Sequence, residues 1–280
     1  MRSVIVEKYI RAYHGEIVVV KYGGGAMTKP ALKDALARDL ALMKRVGIKP
    51  VLVHGGGPEI TEMMERLKLP VKFVGGYRRT DAAAIDVVKM VLVGKINKEL
   101  VRLINGQGAL AVGLSGDDAR LIEANKKSAP TDLGFVGDVA KINTELITAL
   151  LDLDYIPVIA SVGVGKQGES YNINADSVAA ELAVALNAHH IIFLTNVDGI
   201  YRDLGDHTTI LSEITASHVA RLLEKEEISG GMLPKMEACL RSLDGGVGWV
   251  HILNGTKPHA MLQEIFTRKG AGTMIINDRI

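Results

Sequence analysis

Two runs of three glycines each follow an apolar, β-branched stretch: Lys21-Tyr22-Gly23-Gly24-Gly25 after residues 17–20, and His54-Gly55-Gly56-Gly57-Pro58 after residues 50–53. Pro30 and Pro58 then suit the first turn of a helix. Glycines between a strand end and a helix start leave backbone N–H groups open to an anion and let its oxygens come close. One such run reads equally as a tight turn. Two of them, on strands that can be neighbours and with Lys21 leading the first, point to one phosphoryl group held from two sides or to two anionic groups.

Other polar residues ask for a reason. Asn172, Asn174 and Asp176 alternate ahead of an Ala-rich apolar stretch. Asn174 alone suffices as a helix cap; in extended backbone all three share a face, and Asp176 there can orient a pair of ammonium groups. Arg78 and Arg79 follow Gly75-Gly76; a solvated pair is the plain reading, and a guanidinium fork also suits a carboxylate. Lys235, after Gly230-Gly231-Met232-Leu233-Pro234, opens another helix and by itself reads as a surface residue. Thr195-Asn196-Val197-Asp198-Gly199-Ile200-Tyr201 ends an apolar stretch with a turn signature, either a bare turn or the wall of a nucleotide site. His54 reads as a ligand or base, or as a structural residue that holds its loop by a hydrogen bond. No second His and no acidic cluster stands at metal-ligand spacing, so a metal cage built by the protein is not expected.

Two familiar motifs fail. Gly163-Val164-Gly165-Lys166-Gln167-Gly168 matches the dinucleotide fingerprint, but residues 169–173 alternate like a strand and a helix begins only at 174 or 176. The fingerprint opens its helix inside the glycines. As a P-loop, the same stretch has Ala160 for the first glycine and Gln167 for the magnesium-holding Ser or Thr.

These residues need a scaffold. Residues 17–20, 50–53, 110–114, 156–160, 191–194 and 249–253 read as buried strands, while 31–46, 82–104, 176–186 and 233–243 carry helical spacing. The alternation predicts a three-layer αβα sandwich around a mostly parallel central sheet, with ligands at the carboxyl ends of the strands. Residues 70–80 and 119–142 read as extended hairpin excursions. No linker or repeat interrupts the chain, so a division falls near 161–176: an N-terminal lobe, 1–165, and a C-terminal lobe, 166–280, of one continuous sheet.

Composition agrees. Among 280 residues, 48% are hydrophobic, only 4% aromatic, and 30 are glycine, which excludes disorder and disfavours aromatic-rich β folds. The 33 basic and 32 acidic residues leave no global field for nucleic acid or an anionic membrane. Cys239 stands alone, ruling out an intramolecular disulfide. Glu7, Lys8 and Arg11 interrupt the start where a secretory leader needs an apolar run, and no stretch approaches the roughly 20 apolar residues of a membrane span, so a soluble, cytoplasmic protein is expected.

The ordered blocks VVVKYGGGAM, VLVHGGGP, GYRRTD, KMVLVGKINKELV, YNINADSVAA, LTNVDGIY, GGMLPK and GAGTMI resemble the amino acid kinase family along nearly the whole chain. Within it, the likeness is strongest to the branch that uses ATP to phosphorylate the side-chain carboxylate of N-acetyl-L-glutamate, the second step of arginine biosynthesis. By that resemblance, Lys21 corresponds to the lysine at the transferring phosphoryl group, Lys235 to a second lysine on its nucleotide side, and Asp176 to the carboxylate that positions both. Gly23 and Gly24 correspond to the phosphate loop, and Gly56 and Gly57 to the loop amides at the acyl substrate. Arg78 corresponds to the grip on the α-carboxylate, with Asn172 as its companion. Thr195, Asn196, Asp198, Gly199 and Tyr201 fall in the nucleotide-contacting segment. Magnesium is implied on the ATP phosphates. The YIRAYHG segment with Glu264 and Gly272 resembles an arginine-inhibited subgroup whose N-terminal helices interlace dimers, implying L-arginine as inhibitor and a homodimer or a hexamer built as a trimer of dimers. Gly25 stands where this branch usually carries Asn, and Arg79 where it usually carries an apolar residue. Rival readings are a relative with another acceptor, an NAD-dependent dehydrogenase using residues 163–168, and a catalytically dead arginine sensor.

Overall fold

The computed structural model describes residues 10–27, 29–202, 209–225, 228 and 232–278. In chain order its strands are β1 (Ile17–Tyr22), β2 (Lys49–His54), β3 (Phe73–Val74), β4 (Tyr77–Arg78), β5 (Ala111–Leu114), β6 (Ile122–Lys126), β7 (Val136–Ile142), β8 (Ile156–Ala160), β9 (Val162–Val164), β10 (Ser170–Ile173), β11 (His190–Thr195), β12 (Glu213–Thr215), β13 (Trp249–Asn254) and β14 (Gly272–Ile276). The α-helices are α1 (Pro30–Arg45), α2 (Gly57–Arg66), α3 (Ala82–Lys89), α4 (Asn97–Asn105), α5 (Glu145–Asp152), α6 (Ala175–Ala185), α7 (Ala216–Glu224), α8 (Leu233–Asp244) and α9 (Ala260–Phe266).

Eight strands form one sheet in the order β12-β14-β13-β11-β1-β2-β8-β5. Only the β13–β14 pair is antiparallel. Alternate side chains of a strand face opposite sides, and the core divides accordingly. Val18 and Val20 pack with Leu36 and Leu40 of α1 on one face, while Val19 packs with Val178 and Leu182 of α6 on the other. The mixed α/β fold is the expected sandwich. At its centre β1 and β2 are parallel neighbours, with Tyr22 in register with His54, so both glycine runs leave the same carboxyl edge.

Two features depart from the expectation. Residues 119–142 do form a hairpin, β6–β7, but β9 and β10 close it into a four-stranded barrel, β10-β7-β6-β9. Its decisive pairing sets Val136 beside Asn172, too distant in sequence for a local signal. The stretch 82–104 is helical but not one α-helix, because a π-helical segment, Met90–Ile96, separates α3 from α4. Residues 70–80 form the small β3–β4 hairpin, turned at Gly75 and Gly76 with φ of +56° and +82°. The N-terminal segment is helical over 10–13, and its first nine residues lie outside the described ones. No helix among the described residues is long and apolar enough to cross a membrane.

Candidate active site

Asn174 caps α6, its Oδ1 accepting from the N–H groups of Asp176 (2.8 Å) and Ser177 (3.3 Å). That cap sets Asp176 in the first helical turn, where its carboxylate lies between two ammonium groups. Lys21 Nζ is 2.9 Å from Oδ1, and Lys235 Nζ donates to Oδ2 at 2.9 Å. Lys235 is 5% exposed, which corrects its reading as a surface residue: the first turn of α8 aims it inward, over the Phe193 ring. Gly230 and Gly231, ahead of it, lie outside the described residues.

The electrostatics of the trio follow from burial. Desolvation works to raise the Asp176 pKa, yet Lys21 and Lys235 together outweigh it and bring it to about 2. The Lys21 pKa is lowered, first by burial and further by Lys235, with Asp176 opposing. Two lysines and one carboxylate leave an excess of positive charge in a largely buried site, where water screens it little and it attracts an anion.

The glycine runs sit against this trio. A side chain at Gly23 would place its Cβ 3.0 Å from Lys21 Nζ, and Gly24 has φ +64°, a conformation that glycine adopts at little cost. The Gly55 N–H donates to the Tyr22 carbonyl at 3.1 Å, tying the second run to the first. Gly56 and Gly57 open α2, so their N–H groups have no intrahelical partner. His54 is fully buried, with Nδ1 3.0 Å from the Gly55 carbonyl and Nε2 3.1 Å from Asn97 Nδ2, which bears out its structural reading.

Arg78 is buried and has no carboxylate partner among the described residues. Its guanidinium donates to the Gly57 carbonyl (2.9 Å) and Thr61 Oγ1 (2.7 Å), and lies over the Phe73 ring. Burial lowers its pKa. A buried, unneutralised guanidinium fork beside the Gly56–Gly57 turn is suited to a carboxylate. Thr80 links it to Asn172: Thr80 Oγ1 donates to the Arg78 carbonyl (2.8 Å) and accepts from Asn172 Nδ2 (3.3 Å). Arg79 is exposed and lines a separate hollow of about 430 Å³ with Asp81, Lys126, Asp132 and Tyr171.

Thr195 ends β11, and Asn196, Asp198, Gly199 and Tyr201 follow it. A Cβ at Gly25 would meet Asn196 Cβ at 3.7 Å, which sets this segment beside the first glycine run. Asp198 accepts from Asn254 Nδ2 (2.7 Å) and pairs with Lys257 (2.6 Å), fixing the loop's base. Gly199 is pressed on Thr273, whose Oγ1 accepts from the Ile200 N–H at 2.8 Å. Glu264 and Gly272 do not bond to the lysine pair. Glu264 is buried against His251 Nδ1 (2.9 Å) and accepts from the Ala271 N–H (2.6 Å), while Gly272 pairs with Leu253.

The sequence profile of the amino acid kinase family matches residues 16–254. The chain belongs to the amino acid kinase family. It is 51% identical over 278 residues to an acetylglutamate kinase of Heliobacterium modesticaldum, covering 96% of this chain and 94% of that one, and 51% identical over 272 residues to an acetylglutamate kinase of Desulforamulus reducens, with the same coverage. Among solved structures, an N-acetylglutamate synthase from Neisseria gonorrhoeae superposes with a TM-score of 0.87 at 26% identity, over 98% of this chain and 62% of that one. The chain thus spans less than two thirds of that synthase. A carbamate kinase from Giardia lamblia shares the fold, with a TM-score of 0.70 at 19% identity over 94% of this chain and 99% of that one. The protein is a kinase of this family.

The structure brings together the lysine pair, Asp176 and both glycine runs, and joins Arg78 to Asn172. Thr61, Thr80 and Asn97, which complete these contacts, are given no role by the sequence reading. Thr80 lies in the block GYRRTD and Asn97 in KMVLVGKINKELV, and nothing local in either block marks the residue for a contact.

Proposed function

We propose that this kinase transfers the γ-phosphoryl group of ATP to the side-chain carboxylate of N-acetyl-L-glutamate, giving N-acetyl-L-glutamyl 5-phosphate for arginine biosynthesis. The observation that carries the reading is Asp176 holding Lys21 and Lys235 at 2.9 Å from its two oxygens. Phosphoryl transfer passes through a loose transition state with charge on the equatorial oxygens, so positioning and electrostatic stabilisation supply most of the catalysis. Lys21, at the end of β1, faces the acceptor side; Lys235 faces the nucleotide; N–H groups of the Gly23–Gly24 run complete the cradle. The nucleophile is a carboxylate ionised at neutral pH and needs no base. Arg78 takes the α-carboxylate, Asn172 the acylated amine, and the Gly56 and Gly57 amides the reacting end. The acyl substrate lies on residues 1–165, with Asn172 reaching it from the C-terminal lobe, and the nucleotide on the rest of 166–280, against Thr195–Tyr201. Magnesium arrives with ATP, on its phosphate oxygens. Both Asp176 oxygens face lysines, and among the described residues no group of three or more His, Cys, Asp or Glu side chains is placed to hold a metal.

Regulation is the finer part of the proposal: L-arginine inhibits through Glu264 and Gly272, in a homodimer or a hexamer joined by the N-terminal segments. A row of contacts supports it. The Tyr13 ring stacks on His190 (4.3 Å between centroids), His190 Nδ1 lies 3.1 Å from His251 Nε2, and His251 pairs with Glu264. This row connects the N-terminal segment with the turn before β14.

The test is an ATP-dependent hydroxamate assay across N-acetylglutamate, glutamate, aspartate and aminoadipate, with and without millimolar arginine. N-acetylglutamate is the preferred acceptor and arginine lowers its turnover. Preference for another acceptor contradicts the substrate reading; unchanged activity and unchanged thermal stability contradict the arginine reading.

A further inference from the structure

The contacts of His54 determine where its proton sits. The Gly55 carbonyl, 3.0 Å from Nδ1, can only accept, so Nδ1 carries the hydrogen and Nε2 accepts from Asn97 Nδ2 at 3.1 Å. Burial holds the imidazole neutral, with its pKa lowered to about 4 against the raising effect of the Gly55 hydrogen bond. Asn97 is fixed in turn: Nδ2 also donates to the Val158 carbonyl at 2.9 Å, and Gly113 leaves the space that the amide oxygen occupies.

A trans peptide sets its carbonyl oxygen and the following N–H on opposite sides of the C–N bond, and no cis peptide occurs among the described residues. Turning the Gly55 oxygen onto the His54 ring therefore points the Gly56 N–H away from that ring and from the buried interior behind it. Gly56 is pressed against Leu92 and Ile96, with no space for a Cβ, so the turn has little freedom to choose another orientation. Resting on the reading that Gly56 and Gly57 face the acyl substrate, we propose that His54 is a positioning residue, the middle of a relay Asn97–His54–Gly55 that sets the direction of the Gly56 amide and with it the affinity for the acyl substrate.

An Asn at 54 keeps an N–H donor close to the Nδ1 position, whereas Gln reaches only the Nε2 position, where its Oε1 can accept from Asn97, and loses the bond to Gly55. His54→Gln raises the KM for N-acetylglutamate by about ten- to hundredfold, the size of one hydrogen bond to a charged group, and leaves the KM for ATP within about twofold. His54→Asn recovers most of that loss. Equal KM values for the two variants, or a parallel rise in both substrates' KM, overturn the proposal. If the variants fail to fold, nitrogen-15 NMR of the unaltered kinase decides. A persistent Nδ1–H tautomer is expected from about pH 6 to 8, where a free histidine titrates, and an Nε2–H tautomer or a titrating ring overturns the proposal. A wild type that does not phosphorylate N-acetylglutamate contradicts the substrate reading, and the tautomer still decides the orientation of the relay.

Discussion

Lys235 Nζ donates to Asp176 Oδ2 at 2.9 Å across 59 positions of sequence, and both residues are buried. The contact joins the first turns of α6 and α8, whose starts are set by the Asn174 cap and by Pro234. An ammonium group held this way is preorganised for charge that develops on a phosphoryl group.

Removing that ammonium separates catalysis from folding. Lys235→Ala leaves Asp176 paired with Lys21, so the fold survives while turnover falls by about 10²–10³, the loss of one oriented electrostatic contact in the transition state. Steady-state kinetics with circular dichroism checks both halves; near-normal turnover contradicts the role of Lys235.

Asp176 predicts a pH dependence of stability with a definite sign. Its folded pKa of about 2 lies below the ordinary value of 3.8, so its contribution, about 2 kcal/mol, is complete above pH 4 and is lost as pH falls from about 4 to 2. Urea unfolding of the wild type and Asp176→Asn should differ most near neutral pH and converge toward the acid end of that window. A gap that widens on acidification contradicts this origin.

Arg78→Lys keeps the charge and loses the fork that bonds Gly57 and Thr61. The KM for N-acetylglutamate rises by about tenfold or more and that for ATP does not. Equal sensitivity of both substrates is the contrary result.

Three glycines of the two runs respond differently to alanine. At Gly56 a Cβ overlaps Ile96 and Leu92, and overpacking of that kind costs about 1–3 kcal/mol. Among the described residues, nothing lies within 4 Å of a Cβ at Gly57, and at Gly25 only Asn196 Cβ does, at 3.7 Å. Denaturant melts of Gly56→Ala, Gly57→Ala and Gly25→Ala rank the first as the least stable; equal stabilities contradict the packing described.

Much of this is legible in the amino-acid sequence. Strand–glycine–helix punctuation locates both loops and Asn174 reads as a helix cap, because those signals are local; the extended polar face through 172, 174 and 176 does not form, since Asp176 already lies in the first turn of α6. Lys235 shows the limit. A lysine at a helix start looks the same whether it faces water or a buried carboxylate, and only the packing of α8 on α6 decides. Asn97 and Thr80 escaped for a related reason, since each bonds groups far away in sequence. The barrel of β6, β7, β9 and β10 depends on pairings that no window of sequence contains.

The most direct test of the central claim is simultaneous measurement of ADP release and hydroxylamine-trapped acyl phosphate with N-acetylglutamate as sole acceptor. The account predicts one hydroxamate for each ADP, both lowered together and to the same extent in Lys235→Ala; ADP release without hydroxamate, or no ADP release by the wild type, would contradict it.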